Sequence, residues 1–319
     1  MKQIQLRSYG KINLCLDVLR RLENGYHEVE MIMQQILLCD DLSVKWIEDS
    51  QKAAEQSGLE DEAIKIEVSA NKPWLPRDQR NLAYQAAQRM AELYGMGKRG
   101  KIRIDIKKRI PVAAGLAGGS GNGAAVLHAL NVLWDLHLDV KELCQVGSSL
   151  GSDVPFSIMG QAKANTELGL SEDPLAAHCA VARGTGTDLQ PLRQGLKSHL
   201  LLTKPPIGVS TAEVYQGLEL KAIERRPDLP QLIKALEQRN YKIIKKNMIN
   251  VLENFTLTRY PNVMYTKNKV ENIMGKGAVL MSGSGPTIFA LCRTRKDAQM
   301  ACETLKIDNR ETFWTRTTY

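Results

Sequence analysis

Apolar and polar positions alternate at Ile12, Leu14, Leu16 and Val18, which predicts a strand over residues 12–19. Shorter apolar runs predict strands over 4–6, 31–38 and 42–47, and alternation resumes over 64–68. The polar segment 49–61 reads as a loop. Helical spacing follows: Asn81 caps a predicted helix through Tyr94, with Leu82, Ala86, Met90 and Leu93 on or near one face. Ile102, Ile104 and Ile106 then alternate with Arg103, Asp105 and Lys107, the pattern of a half-buried strand. One helix is predicted over about 120–136 and another over 139–150. Asp139 and Glu142 have capping-box spacing at the start of the second, and Gly151 closes it.

Beyond residue 160 the periodicity weakens and the composition shifts, so a domain boundary is placed there, dividing the chain into 1–159 and 160–319. A strand is predicted over 199–203. Ser210 and Glu213, again at capping-box spacing, open a short helix through Tyr215. Residues 229–255 read as largely helical and rich in lysine. The final pattern is strand (278–281), glycine turn (282–286), strand (287–292) and helix (296–305). Strands come in groups rather than in strict alternation with helices, which makes the class α+β.

Composition narrows the functions. Length alone suggests about two domains. Hydrophobic residues make up 43% of the 319 and charged residues 24%, as in an ordinary globular chain. No apolar run is long enough to span a bilayer, and the first residues lack an apolar signal core. The six cysteines lack CxxC spacing or a zinc pattern, so they read as free thiols in a reducing cytoplasm. The net charge of +8 points to anionic partners: nucleic acid, an acidic membrane or small polyanions. Aromatic content of 5% argues against a stacking platform for single-stranded nucleic acid.

The chemistry concentrates in residues 111–131, PVAAGLAGGSGNGAAVLHALN. So many glycines beside an alanine-rich helix fit a backbone that approaches something closely. A glycine loop running into a helix N-terminus suits an anion, because free N–H groups and the helix dipole both point at it. A Walker A loop is excluded, since no GK[ST] follows. A dinucleotide fingerprint through Gly119, Gly121 and Ala124 lacks the β-α-β context, because a second helix follows the first. A phosphate loop outside both patterns is left.

That loop resembles the PxxxGLGxSSxxxxA signature of the GHMP kinases. Ala117 stands for a common glycine, and Gly121 for the second serine. Two other segments resemble one branch of that family, whose acceptor is 4-diphosphocytidyl-2-C-methyl-D-erythritol. They are SYGKINLCLDVLRRLENGYHEVEMIM (8–33), with Asn24 in place of an aspartate, and LGSDVPF (150–156). LMSGSGPTIFA (280–290) resembles a third motif of the branch. The resemblance implies an N-terminal ATP-binding domain and a C-terminal ferredoxin-like domain. It also implies ATP and Mg²⁺ as cofactors, and transfer of the γ-phosphoryl group to the 2-hydroxyl of that cytidine diphosphate alcohol. The step belongs to the non-mevalonate route to isoprenoid precursors.

Carried over residue by residue, Pro111, Ala113, Gly115, Leu116, Ala117, Gly118, Gly119, Ser120, Gly121, Asn122 and Gly123 would wrap the ATP phosphates. Asp153 would accept the proton of the substrate hydroxyl, and Lys11 would be its partner cation. Without the resemblance, Asp153 is a turn aspartate and Lys11 an exposed strand lysine. Tyr26 would stack on the cytosine and His27 would bond its edge. Tyr215 falls where a second stacking aromatic is expected, and reads equally well as a buried helix tyrosine. Asn13 would lie near the acceptor alcohol. The Mg²⁺ ligands are not legible. Residues 163–179 match nothing in the family pattern and read as an insertion. The oligomeric state stays open between monomer and homodimer. Two rivals stay open as well: a related kinase for homoserine or a mevalonate derivative, and a non-catalytic nucleotide or RNA binder.

Overall fold

The computed structural model describes residues 1–49, 64–275 and 277–319. Most of the expected loop 49–61 lies outside the described residues. In chain order the elements are β1 (Lys2–Arg21), β2 (His27–Glu48), β3 (Ile64–Ala70), α1 (Leu82–Tyr94), β4 (Gly100–Lys107), α2 (Gly118–Leu133), α3 (Val140–Ser148) and α4 (Val154–Ala164). Then follow β5 (Cys179–Arg183), β6 (Asp188–Pro191), β7 (His199–Lys204), α5 (Thr211–Gly217), α6 (Leu229–Glu237), α7 (Tyr241–Asn247), α8 (Glu253–Arg259) and α9 (Pro261–Met274). The chain closes with β8 (Val279–Met281), β9 (Ile288–Cys292), α10 (Arg295–Lys306) and β10 (Glu311–Arg316).

The chain forms two compact units whose segments interleave. The first holds Met1–Tyr9, Cys39–Arg109 and Gly118–Ala176; the second holds Gly10–Leu38, Ile110–Ala117 and Ala177–Tyr319. The long strands β1 and β2 contribute residues to both. The expected boundary at 159/160 falls inside α4.

In the first unit, β4 pairs antiparallel with β2 over Asp41–Glu48 and parallel with β3. Ile102, Ile104 and Ile106 are buried, as their alternation predicts. The core includes Met90 of α1 and Leu127 and Leu130 of α2. Trp46 meets Trp134 edge to face, with ring centroids 5.5 Å apart. Asn81 caps α1 by accepting from the Ala83 amide at 3.0 Å, and Asp139 and Glu142 form the expected capping box on α3.

In the second unit, β2 pairs with β5 over Met31–Gln34, and β5 pairs with β6. A separate four-stranded antiparallel sheet has the order β10-β7-β9-β8. The strand at the start of its sequence lies inside and the last lies at an edge, the split β-α-β arrangement of a ferredoxin-like domain. Leu200, Leu202, Phe289 and Leu291 carry its core toward Leu232 and Leu236 of α6.

Several sequence expectations needed correction. The strands predicted over 4–6 and 12–19 are one strand, and so are those over 31–38 and 42–47. Alternation fails at the joins because polar residues are buried there: Ser8 and Lys11 in β1, Asp40 in β2. Helix α2 starts at Gly118 rather than near Ser120, and α3 ends at Ser148, before Gly151. The segment 229–255 is largely helical as expected, divided among α6, α7 and the start of α8. Arg239 takes a left-handed φ of 53°, and Asn240 caps a new helix by accepting from the Ile243 amide. Only half of the second capping box forms. Ser210 accepts from the Glu213 amide at 3.3 Å, but the Glu213 carboxylate takes Arg259 Nε and the Tyr260 hydroxyl instead. The expected insertion 163–179 opens with the last turn of α4, then a short 3-10 turn over Thr166–Leu168. Lys163 Nζ donates to the Ser171 carbonyl at 2.8 Å, and the Val140 amide to Asp173 Oδ2 at 3.2 Å.

The buried carboxylate of Asp40 organises the first unit. It accepts from Lys108 Nζ and, at 2.7 Å, from the Arg109 amide. With its amide oriented by the network, Asn122 donates to Asp40 Oδ2 at 2.9 Å, to the Gly118 carbonyl at 3.1 Å and to Ser8 Oγ at 3.0 Å. Burial pulls the Lys108 ammonium below its ordinary value, against the pull of Asp40. Lys108→Met takes the Lys108 ammonium away from the buried Asp40 carboxylate and is expected to cost about 3–5 kcal/mol of stability. Adding Asp40→Leu should return part of that loss. Urea unfolding of the two variants checks this, and a double variant weaker than the single one would contradict it.

Candidate active site

The residues expected to hold substrate gather in the second unit. Lys11 is almost fully buried, and its Nζ donates to Asn13 Oδ1 at 2.7 Å. Asn13 is fully buried, and its Nδ2 donates to Met31 Sδ at 3.1 Å. Both functions of the Asn13 amide are thus engaged within the protein, so it orients Lys11. The exposed strand lysine is not what is found.

The loop before α2 is built around the same lysine. The Lys11 amide donates to the Leu116 carbonyl at 3.0 Å. Ser282 Oγ donates to the Gly115 carbonyl at 2.9 Å. Gly115 has φ +70°, and a Cβ there would lie 2.1 Å from the Ser282 carbonyl oxygen. Only glycine allows that approach. A Cβ on Gly283 would sit 3.6 Å from Lys11 Nζ, so the glycine turn 282–286 borders the lysine. Asn250 Nδ2 holds this turn through the Met281 and Gly283 carbonyls, at 2.9 and 2.7 Å. The turn was visible in the sequence as SGSGP. Asn250 carried no signal there, being one more asparagine beyond a lysine-rich helix.

The expected phosphate loop divides by exposure. Pro111, Leu116, Gly118, Gly121, Asn122 and Gly123 are buried, while Ala113 and Gly119 are exposed and Gly115, Ala117 and Ser120 half-buried. Ala113 and Ala117 take left-handed φ values of 49° and 55°. At the start of α2 the first amides, from Gly118 to Ser120, have no intrahelical acceptor. A Cβ on Gly119 would meet nothing closer than Leu82 Cδ1, at 3.6 Å. That open backbone, with the dipole of a sixteen-residue helix behind it, fits a phosphate group. Gly121 serves packing instead, since a Cβ there would press to 2.6 Å on Ser8 Oγ.

Asp153 belongs to the first unit, at the N-cap of α4, and is half-buried. Its side chain makes no capping bond; its carbonyl accepts from the Ser157 amide at 3.1 Å and Ser157 Oγ at 3.0 Å. Pro155 in the first turn fixes the helix start. Gly147 lets α3 press onto α4, since a Cβ there would lie 2.6 Å from Ile158 Cδ1. Two bonds tie α4 to α2: Gln161 Nε2 to the Gly121 carbonyl at 2.8 Å, and His128 Nε2 to the Ile158 carbonyl at 3.0 Å. Burial pushes the His128 imidazole down to about 4. The unfolded chain therefore takes up a proton first. Stability is whole above pH 6.5 and is lost as pH falls toward 4, by roughly 3 kcal/mol. His128→Gln is expected to lose less between pH 7 and pH 4.5 in urea unfolding, and an equal loss would contradict it.

His27 and Tyr215 come together, ring centroids 5.4 Å apart and tilted by 40°. Tyr26 is largely exposed beside them in sequence, and its amide donates to Asn24 Oδ1 at 3.1 Å in the turn where Gly25 has φ +85°. Burial, then Arg21, lowers the His27 pKa, which keeps the ring neutral near pH 7. Neutral imidazole offers one donor and one acceptor to a base edge. Tyr215 is half-buried rather than a core tyrosine. Its helix α5 is clamped by Glu213 and by Phe255, whose ring would lie 2.1 Å from a Cβ on Gly217.

Among the described residues no group of three or more His, Cys, Asp or Glu is placed to hold a metal ion. All six cysteines are free thiols. No helix among the described residues is long and apolar enough to cross a membrane.

Comparison with known proteins places this geometry. The model for the GHMP kinases N terminal domain matches residues 81–161, and that for the GHMP kinases C terminal domain matches 230–309. The 4-diphosphocytidyl-2-C-methyl-D-erythritol kinase of Alkaliphilus metalliredigens is 42% identical over 313 residues, 98% of this chain and 96% of its own. The chain belongs to this family of GHMP kinases. The same-named kinase of Acetivibrio thermocellus is 39% identical over 317 residues, 99% of this chain and 100% of its own. A crystal structure of a 4-(cytidine 5'-diphospho)-2C-methyl-D-erythritol kinase superposes with a TM-score of 0.74 at 27% identity, covering 99% of this chain and 100% of that one. Homoserine kinase from Cytophaga hutchinsonii shares the fold, with a TM-score of 0.67 at 17% identity, covering 100% of this chain and 95% of that one.

Proposed function

We propose that the chain transfers the γ-phosphoryl group of ATP to the 2-hydroxyl of 4-diphosphocytidyl-2-C-methyl-D-erythritol, the kinase step of the non-mevalonate route to isoprenoid precursors. The observation that carries this reading is identity near 40% along nearly the whole chain with relatives of that activity. Phosphoryl transfer asks for positioning and charge stabilisation more than covalent chemistry. The amides at the start of α2 receive the phosphates, and the Ser120 hydroxyl adds a polar contact. Lys11, oriented by Asn13, faces the charge on the transferring group. Asp153 takes the proton of the attacking hydroxyl. Mg²⁺ would arrive with the nucleotide, held by phosphate oxygens with the Ser120 hydroxyl at hand, and would neutralise phosphate charge.

Tyr26, His27 and Tyr215 form the base site in this reading. Tyr26→Ala is expected to weaken binding of the cytidylated alcohol by about 1–3 kcal/mol, with little effect on ATP. Calorimetric titration of each ligand checks this. Unchanged affinity for the cytidylated alcohol would remove the tyrosine from the base site.

A further inference from the structure

We propose that the second unit carries a binding site for a small polyphosphate anion, outside the candidate active site. A cavity of about 540 Å³ opens at one end of the ferredoxin-like sheet. Strand register builds it: Arg316 of β10 pairs with His199 of β7, which pairs with Cys292 of β9. Lys197 and Arg293 lie just beyond those strand ends. Helix α7 adds Tyr241 and Lys245, four residues apart on one face. Among the described residues no Asp or Glu lines the cavity, and none of its lining residues belongs to the candidate active site.

Among the described residues no carboxylate pairs with any of the four cations within 4 Å. Elsewhere in this unit basic side chains pair with carboxylates, as Arg183 does with Glu30, Lys204 with Glu311 and Lys267 with Glu253. Among the described residues, Lys197, Lys245, Arg293 and Arg316 make no ion pair. Two are held in place by an aromatic ring instead: Lys197 Nζ lies 4.2 Å and the Arg316 guanidinium 5.7 Å from the Tyr319 ring centre. Tyr241 Oη pins the backbone by donating to the Lys197 carbonyl at 2.6 Å. Like charges gathered around one concavity repel, and an anion bound among them relieves that repulsion. The volume lies within the range of small-ligand sites. Phosphate oxygens match the lysine ammoniums and the arginine forks.

The test is calorimetric titration of inorganic tripolyphosphate into the full chain, with the ATP site saturated by a non-hydrolysable ATP analogue. One binding event is expected to persist, to weaken with added salt, and to weaken by about tenfold or more in Lys245→Gln/Arg293→Gln. Kinase turnover of that variant should match the parent, which shows that it folds. Loss of the event once the ATP site is filled would overturn the proposal. So would equal affinity in the variant. Tighter binding of a single-stranded RNA oligonucleotide that displaces tripolyphosphate would also overturn it, in favour of a polymer-binding surface.

Discussion

Asp153→Asn is expected to lower kcat by about 10²–10⁴-fold while nucleotide affinity stays near that of the parent. Asparagine keeps the size of the side chain and cannot take a proton from the attacking hydroxyl. The backbone carbonyl of Asp153 accepts from the Ser157 amide and hydroxyl, and its side chain is not the helix cap, so the start of α4 keeps its bonds in the variant. A structural role would instead appear as lost stability with turnover preserved. Single-turnover kinetics together with titration of an ATP analogue separate the outcomes. Turnover near that of the parent would remove Asp153 from the mechanism.

Gly115→Ala is expected to cost roughly 2–5 kcal/mol of stability and to raise the KM for ATP. The new methyl group would meet the Ser282 carbonyl at 2.1 Å, and the backbone there has φ +70°. Relief requires the glycine turn 282–286 to move, and that turn borders Lys11. Gly119→Ala is the control. It sits in the first turn of α2 with no non-neighbouring atom within 3.5 Å of the added methyl, the nearest being at 3.6 Å. Its stability is expected to stay within about 0.5 kcal/mol of the parent. Thermal and urea unfolding of both variants check the contrast; equal losses would show that the approach to Ser282 does not constrain Gly115.

Much of this architecture was legible in the sequence. Alternation located β4, cap chemistry located α1 and α3, and the strand, turn, strand, helix pattern near the end located the later half of the ferredoxin-like sheet. Patterning failed where polar residues are buried with partners distant in sequence. Asp40 sits inside β2 because Lys108 and Asn122 meet it, and no local rule anticipates a partner 68 residues away. Lys11 reads as an exposed strand lysine for the same reason; its burial depends on Asn13, Leu116 and the 282–286 turn. The left-handed turn at Arg239 hid the break in the lysine-rich segment, since arginine gives no turn signal. Resemblance supplied what patterning lacked: KIN, GYH and SDVPF pointed to the residues whose proposed roles periodicity leaves blank.

The most direct test of the account is ADP release with Mg²⁺–ATP, comparing 4-diphosphocytidyl-2-C-methyl-D-erythritol with methylerythritol phosphate lacking cytidine, homoserine and mevalonate. The account predicts turnover with the cytidylated alcohol alone. Turnover with the uncytidylated alcohol, homoserine or mevalonate in its place, or none with any despite tight ATP binding, would contradict it.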